Sequence, residues 1–232
     1  MIKEMIKILF PSTKNIDEVV GIIEKYRMKF GLNTGLRLAQ FLAQVREEVG
    51  PEFKVIRESL NYKEETVLKL FKNMTVADAE KYARDENTSV ADQVAIANIA
   101  YANKLGNGKA DSDGDGDIDK DDDGYKYRGA GCLQITGKGN FAEVQKRCIK
   151  YAGREMDPDT LEGFIVFGMA YWMQHDLYKL ADSGKYGTVV DNITKKINMH
   201  TESYEQRRIH FDSVKHLIWY VNSIIKDMLG EM

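Results

Sequence analysis

The chain has few of the residues that mark fibrous, disulfide-stabilised or disordered proteins. Its 232 residues include only three prolines and two cysteines, whereas 43% of them are hydrophobic and 30% are charged. This composition supplies enough apolar side chains for a sizeable core and excludes a disordered or fibrous chain. Cys132 and Cys148 are too few for a disulfide framework and lack the spacing of a metal knuckle, so we expect free thiols.

Long hydrophobic runs are also missing. No stretch of about 18 apolar residues occurs, and the N-terminal segment from Ile2 to Phe10 is interrupted by Lys3, Glu4 and Lys7. This segment is therefore neither a membrane span nor a signal peptide. We therefore expect a protein that is made in the cytoplasm and does not insert stably into a membrane. It would reach any target outside the cytoplasm by a route that uses no signal peptide.

The net charge of −3 conceals an uneven distribution. Residues 111–123 contain eight aspartates and one lysine, so the rest of the chain is mildly basic, at +4. A balance this small, without a stripe of basic and aromatic residues, indicates no nucleic-acid partner. It suits an anionic polymer such as a bacterial wall, although scattered surface lysines give the same number.

Hydrophobic periodicity predicts a mainly α protein. Val19, Ile22, Ile23, Tyr26 and Phe30 follow a helical repeat that ends near Gly31. Further helical patterns cover 36–49, 64–72, 76–84, 89–104, 139–152, 159–182 and 203–229. Strand-like alternation occurs only near 132–136, so little or no β-structure is expected.

An acidic loop is the sharpest local signal. Its oxygen-bearing residues occupy positions 1, 3, 5, 9 and 12 of residues 111–122, with Gly116 at position 6, as in an EF-hand calcium loop. Asp122 stands where a glutamate is usual. A solvated acidic linker is the alternative, but eight repelling carboxylates would keep such a linker extended. We expect a structural Ca²⁺ bound by acidic residues of this loop, namely Asp111, Asp113, Asp115, Asp117, Asp119 and Asp122.

Two glutamates flank a predicted helix break. Glu48 and Glu58 would lie about 15 Å apart along one unbroken helix, too far to act on one bond. A break at Gly50-Pro51 lets the chain double back, so that both carboxylates can face one cleft from opposite sides, as glycosidic acid and base catalysis requires. A solvated helix end is the ordinary alternative for such a pattern.

Four blocks of sequence resemble glycoside hydrolase family 19, in its bacterial and phage endolysin branch. The first is FLAQVREEVG with RESLNY, from Phe41 to Tyr62. The others are YRGAGCLQITGKGNF from Tyr127, AYW with LADSG from Ala170, and ITKKIN from Ile193 followed by Arg207. The blocks stand in the family's order and span roughly 30–215.

This resemblance implies roles for individual residues. Glu48 matches the general acid and Glu58 the general base of an inverting hydrolase, and Thr136 matches the residue that holds the attacking water. Gln134 and Asn198 match polar residues that bind sugar. Tyr62 can stack on a sugar face, and Arg207 matches an arginine near the second acid that tunes its ionisation.

The chain departs from the family pattern at several positions. Glu47 replaces the histidine that precedes the catalytic glutamate in the family. Two adjacent residues, Glu47 and Glu48, are therefore candidates for the acid. Met199 and His200 replace two glycines of the sugar-facing loop. The calcium-like insertion precedes Tyr127, so its ion would hold the cleft loop from outside.

The resemblance predicts a lysozyme-like, two-lobed helical domain with a catalytic cleft. Residues 1–232 would form one catalytic domain carrying the inserted loop at 111–122. We expect a monomeric peptidoglycan hydrolase, an endolysin that cuts β-1,4 bonds of the bacterial wall. The alternatives are a chitinase acting on N-acetylglucosamine polymers and a non-catalytic, calcium-stabilised wall-binding protein.

Overall fold

The computed structural model describes residues 1–85, 90–184 and 187–229, with side chains as far as residue 218. This part of the chain contains twelve α-helices, and its β-structure consists of two isolated bridges, Lys63–Arg84 and Ala130–Ile135. The mainly α fold class is therefore confirmed. The chain divides into two compact units.

The first unit comprises Met1–Ile56, Gly131–Leu133 and the chain from Val144 onward. The second comprises Arg57–Ala130 and Gln134–Glu143. Helices of the first unit are α1 (Ile2–Leu9), α2 (Ile16–Tyr26), α3 (Gly35–Val49), α9 (Leu161–Gln174), α10 (Leu177–Asp182), α11 (Gly187–Ile197) and α12 (Tyr204–Leu229). Helices of the second unit are α4 (Glu64–Leu70), α5 (Val76–Tyr82), α6 (Gln93–Ala100) and α7 (Asp123–Lys126), while α8 (Lys138–Ala152) begins in the second unit and continues in the first.

Helix α3 is the central helix of the first unit. Thr34 caps it, because its Oγ1 accepts a hydrogen bond of 3.2 Å from the backbone N–H of Arg37. The helix ends at Gly50, whose φ of 73° favours glycine. All side chains from 38 to 45 are buried, and α3 packs against α1, α10 and α12. This packing fixes the last turn of α3, which carries Glu47 and Glu48.

The second unit is held by a smaller core. Its buried members are Leu60, Val67, Met74, Ala79, Ala91, Ile96 and Ala97. Helix α5 begins with a capping box in which Thr75 and Asp78 exchange side-chain and backbone bonds. Helix α7 lies directly on α6. The approach is so close that a Cβ at Gly124 would stand 2.5 Å from the carbonyl oxygen of Ala97. The approach of these helices therefore requires glycine at 124.

The structure corrects several predicted helices. The predicted helix 159–182 is two helices, since Asp176 adopts a left-handed backbone with φ 52° between α9 and α10. The predicted helix 89–104 is α6, at 93–100, and residue 89 lies outside the described residues. Helices α1 and α11 and the four-residue α7 are additional. Of these, α1 and α11 have amphipathic spacing, for example Ile2, Met5, Ile6 and Leu9 in α1, all of them buried.

Cys132 and Cys148 are free thiols, as predicted, and the structure shows in addition that both are buried. Trp172 is also fully buried, in α9, and packs edge-on against Phe41 with ring centroids 5.5 Å apart. Within the described chain, none of the helices has the length and apolar character needed to cross a bilayer.

Candidate active site

Glu48 lies in the last turn of α3 with its side chain 13% exposed. Its Oε1 accepts a hydrogen bond of 2.7 Å from Nη2 of Arg207, whose side chain is 3% exposed. The resemblance implies that this arginine lies near the second acid. In the structure of the first unit, its carboxylate partner is Glu48. Charge-assisted bonds of this kind are among the strongest in proteins.

Arg207 is itself held by a buried polar network from three helices. Its Nη1 donates to Oε1 of Gln44 on α3 at 2.8 Å, and its Nε donates to Oγ of Ser203 at 3.0 Å. Nε2 of Gln44 in turn donates to Oγ1 of Thr194 on α11 at 3.2 Å. The network fixes the guanidinium, and through it the orientation of the Glu48 carboxyl group.

The environment of Glu48 favours its protonated form. Burial raises the pKa of the Glu48 carboxyl above its usual value, Arg207 opposes this shift, and the neighbouring charge of Glu47 adds to it. The negative end of the α3 dipole lies at the same turn and disfavours an additional negative charge. Desolvation outweighs the arginine, so the direction of the shift is upward.

Glu47 points to a different partner. Its Oε1 lies 2.8 Å from Nε2 of His210, which is one helical turn beyond Arg207 on α12. Both side chains are largely buried, at 19% exposed for Glu47 and 12% for His210. Burial lowers the pKa of His210, and Glu47 opposes that shift. The two adjacent glutamates of α3 therefore have separate partners, a histidine and an arginine.

Glu58 is surrounded by hydrogen-bond donors of the second unit. Oη of Tyr101 donates to Oε1 at 2.6 Å, and the backbone N–H of Gly129 donates to Oε2 at 3.1 Å. The backbone N–H of Glu58 donates in return to the carbonyl oxygen of Gly129 at 2.9 Å. Burial and the charge of Glu58 raise the pKa of Tyr101 far above its usual range, so the phenol stays protonated and donates.

Gly129 also permits the close approach of a predicted sugar-binding residue. A Cβ at Gly129 would stand 2.9 Å from Cβ of Glu58 and 3.0 Å from Oε1 of Gln134. Gln134 has a positive φ of 47°, at the turn closed by the Ala130–Ile135 bridge. Oγ1 of Thr136 donates to the carbonyl oxygen of Gln134 at 3.4 Å. Glu58 and Gln134 thus meet at Gly129, and Thr136 adjoins Gln134.

The remaining predicted substrate residues differ in their settings. Tyr62 is partly buried, with its ring 6.1 Å from that of Phe71, and burial followed by the charge of Glu58 raises its pKa. Asn198 is exposed and directly follows α11, where its backbone N–H donates to the carbonyl oxygen of Thr194 at 2.7 Å. Tyr62 therefore belongs to the Glu58 region, and Asn198 is available at the surface of the first unit.

Several supporting residues were not predicted. Gln44 stands four residues before Glu48 and therefore lies on the same face of α3. This spacing alone could have predicted that the two side chains are neighbours. Thr194 lies within a recognised block but was given no role. Tyr101 is 43 residues from Glu58, and no local pattern connects the two.

The acidic loop brings together three of its six predicted ligands. Carboxylate oxygens of Asp111, Asp113 and Asp115 lie within 4.8 Å of one another. The backbone folds around Asp111, which accepts from the N–H groups of Gly114 at 2.7 Å and Gly116 at 3.2 Å. Among the described residues, Asp117, Asp119 and Asp122 do not belong to this group.

Asp122 is buried and closes the loop from inside. Its Oδ1 accepts from the backbone N–H and hydroxyl of Ser112, and its Oδ2 accepts from the N–H of Asp119 at 2.9 Å. Burial opposes ionisation of Asp122, but these backbone and side-chain donors together lower its pKa. Asn98 of α6 joins the loop to the helix, since its Nδ2 donates to the carbonyl oxygen of Asp119 at 2.6 Å. The loop is thus attached to α6, which Tyr101 directly follows.

One comparison with known proteins identifies a relative. The chain is 32% identical over 187 residues to a protein of Haemophilus influenzae named "Glycosyl hydrolase family 19 domain-containing protein". The match covers 77% of this chain and 78% of the relative. No model of a protein family matches the chain.

Proposed function

Since the chain belongs to glycosyl hydrolase family 19, we propose that it is a lysozyme-like peptidoglycan hydrolase that cuts β-1,4 glycosidic bonds by inversion. The observation that carries this proposal is the contrast between two glutamates. Glu48 is desolvated and has a raised pKa, whereas the oxygens of Glu58 receive two hydrogen bonds. Inverting hydrolysis needs one carboxyl of each kind.

Glu48 acts as the general acid. A leaving sugar oxygen needs a proton as the glycosidic bond breaks, and a carboxyl that holds its proton towards neutral pH can supply it. Burial produces that property in Glu48, while Arg207 and Gln44 aim the carboxyl group. Arg207 also stabilises the carboxylate that remains after the proton has left. Glu47 is engaged by His210, which favours Glu48 over Glu47 as the acid.

Glu58 acts as the general base. Tyr101 and Gly129 donate to the two oxygens of its carboxylate and so orient it to take a proton from an attacking water. Thr136 would hold this water, and Gln134, Asn198 and Tyr62 would bind the sugars. For inversion the two carboxyl groups must stand about 6.5–9.5 Å apart when substrate is bound.

A calcium ion is proposed as a structural partner of the second unit. The support is the spacing of the aspartates together with the cluster of Asp111, Asp113 and Asp115. Oxygen ligands of this kind suit a hard divalent cation. Through Asn98 and α6, an ordered loop would steady Tyr101 and hence the base Glu58.

The function is tested by release of reducing ends from purified peptidoglycan and from chitin oligomers. We expect faster release from peptidoglycan, with each of the single variants Glu48→Gln and Glu58→Gln reducing the rate by about 10²-fold or more. Glu52→Gln is a matched control, because Glu52 is an exposed acid of the same segment.

The outcomes separate the candidate functions. Undiminished activity in both single variants would refute the assigned roles of the two glutamates. A rate on chitin that exceeds the rate on peptidoglycan would indicate a chitinase. A wild-type chain that binds sacculi and releases no reducing ends would indicate a wall-binding protein.

A further inference from the structure

Helix α12 directs two polar side chains at the last turn of α3. Arg207 and His210 are three residues apart and therefore share one face of α12. Nη2 of Arg207 donates to Glu48 at 2.7 Å, and Nε2 of His210 lies 2.8 Å from Oε1 of Glu47. The first contact belongs to the proposed acid itself, whereas the second belongs to the residue that precedes it.

The contact between His210 and Glu47 is largely removed from solvent. The histidine side chain is 12% exposed and the glutamate side chain 19%. A carboxylate that has lost most of its water needs a donor, and Nε2 of His210 is within hydrogen-bond distance of it. Since an ionised carboxylate only accepts, Nε2 carries the ring proton in this pair. His210 therefore holds the carboxylate of Glu47 against α12, within the protein.

A neutral histidine holds this carboxylate without cancelling its charge. Burial lowers the pKa of His210, the bond and charge of Glu47 oppose that shift, and the charges of Arg46 and Arg207 add to it. The net direction is downward from the ordinary value, so the imidazole is uncharged at neutral pH. A lysine or an arginine in its place would neutralise Glu47. With histidine, the negative charge remains effective at Glu48.

Two charges determine the electrostatic environment of Glu48. Arg207 favours its ionised form, and Glu47 favours its protonated form. Tyr171 of α9 and Cys132 also interact with the charge of Glu48, but burial raises the pKa of each, so both are neutral at neutral pH. The charge of Glu47 therefore opposes that of Arg207.

The helices packed against α3 and α12 contribute charges that are mostly at the surface. These residues are Lys3, Glu4 and Lys7 on α1, Lys179 and Asp182 on α10, and Asp191, Lys195 and Lys196 on α11. All are exposed except Asp191, which pairs with Arg208 at 2.8 Å. Water and salt screen exposed charges, so the pair of His210 and Glu47 is the closer influence on Glu48.

We propose that His210 is a positioning residue of the acid, because it holds the carboxylate of Glu47 beside Glu48 and thereby helps Glu48 to retain its proton. It acts through Glu47. The inference rests on the proposed function in that Glu48 is the acid, and it adds to that function the residue that maintains the charge next to the acid.

The test is an NMR titration of the Glu48 carboxyl carbon, whose signal is identified by its loss in Glu48→Gln. In His210→Leu the carboxylate of Glu47 has lost its donor and turns to solvent, where its charge is screened. We expect the pKa of Glu48 to fall by about 0.5, the effect of one partly exposed charge. The control is His216→Leu, the same change at an exposed histidine of α12, which should leave that pKa unchanged.

Two further variants separate the hydrogen bond from packing. His210→Gln places an amide N–H close to the position of Nε2 and should retain the wild-type pKa of Glu48. His210→Asn carries the same amide on a shorter side chain that does not reach Glu47, so it should behave as His210→Leu does. Equal falls in the glutamine and asparagine variants, or no fall in His210→Leu and His210→Asn, would overturn the inference.

A double variant tests whether the effect passes through Glu47. In a chain that carries Glu47→Gln, the change His210→Leu should not alter the pKa of Glu48 further. An equal additional fall in that chain would show that His210 acts on Glu48 directly, which contradicts the inference.

The titration requires no turnover, so the inference and the proposed function fail separately. In an active chain, the decline of kcat/KM with rising pH should move to lower pH in His210→Leu, since Glu48 loses its proton earlier. A wild-type chain that cuts neither peptidoglycan nor chitin contradicts the proposed function, whatever the titration shows. An active chain that needs Glu48, but whose Glu48 titrates identically in wild type and His210→Leu, contradicts only the role of His210.

Discussion

The two proposed catalytic glutamates, Glu48 and Glu58, lie in different kinds of local structure. Glu48 lies in the last turn of α3, which packs against α1, α10 and α12. Its partner Arg207 is buried as well. Glu58 lies outside the helices, on a segment whose contacts come from the end of α6 and from Gly129. The same side chain thus meets desolvation in one region and hydrogen-bond donors in the other.

This difference shows how one residue type supplies both chemical roles. A protein interior that surrounds a carboxyl makes its ionised form costly, so the proton is retained. Backbone and phenol donors directed at a carboxylate instead fix the orientation of its two oxygens. The Glu48 region depends on helix packing, whereas the Glu58 region depends on loop geometry, so the two regions should respond to different perturbations.

Removal of Arg207 should have the largest effect on the Glu48 region. Arg207→Ala leaves Glu48 and Gln44 buried without their shared donor, and we expect the free energy of unfolding to fall by about 3 kcal/mol. Urea denaturation measures this change. Arg208→Ala is the matched control, since Arg208 pairs with Asp191 at the surface, and it should cost less than about 1 kcal/mol. Equal costs for the two variants would contradict a buried network around Glu48.

A methyl group at Gly129 should disturb the Glu58 region through geometry. Gly129→Ala places a Cβ 2.9 Å from Cβ of Glu58 and 3.0 Å from Oε1 of Gln134, so the base must shift. A displacement near 1 Å lowers turnover by about a hundredfold. The control is Gly21→Ala, where no atom lies within 4 Å of the added Cβ. Initial rates on peptidoglycan compare them, and unchanged activity in Gly129→Ala would show that Glu58 tolerates movement.

Chelation of calcium should affect the second unit. An ion bound only by the folded chain stabilises it by about 2.7 kcal/mol at 100 times its Kd, so chelation should lower the melting temperature by several degrees. Hydrogen exchange should increase in 57–130 and stay constant in α3. In the double variant Asp111→Asn with Asp115→Asn, the chelator should have no further effect. A shift below about 1 °C in the wild type would instead favour the solvated acidic linker.

The smallest expected effect concerns the neighbour of the acid. The charge of Glu47 contributes to the raised pKa of Glu48, so Glu47→Gln should lower that pKa. Glu48 then loses its proton at lower pH, and the decline of activity with rising pH moves to lower pH. Arg46, Arg207 and His210 remain as charged or titratable neighbours. The pH profile of kcat/KM measures the shift, with Glu52→Gln as the control. Movement in the opposite direction would contradict Glu48 as the acid.

The sequence predicts the helical class because periodicity reports which helix faces are buried. Periodicity fails to predict a helix boundary where the backbone conformation of one residue ends the helix. The break at Asp176 contains neither glycine nor proline, so the predicted helix 159–182 continues through it. Helix α1 has a clear apolar stripe, but its eight residues are fewer than the window of about 11 over which helical periodicity is usually recognised.

The site could be predicted only in part, for a related reason. Glu48, Glu58 and Arg207 lie in recognisable blocks, whereas their hydrogen-bond partners are set by tertiary packing. The pairs Tyr101–Glu58 and His210–Glu47 join residues 43 and 163 positions apart. The spacing of the acidic loop predicted six ligand aspartates, of which Asp111, Asp113 and Asp115 cluster in the structure, and it did not predict the inward bonds of Asp122.

The most direct test of opposite roles uses two substrates that differ in leaving group. A natural glycan needs a proton from the acid, whereas an aryl β-glycoside with a strongly acidic phenol leaves without one. We predict that Glu48→Gln loses about 10²–10⁴-fold on the glycan and recovers most of its rate on the aryl glycoside. Glu58→Gln should remain impaired on both substrates. Equal impairment of Glu48→Gln on both, or recovery of Glu58→Gln alone, would contradict the assignment.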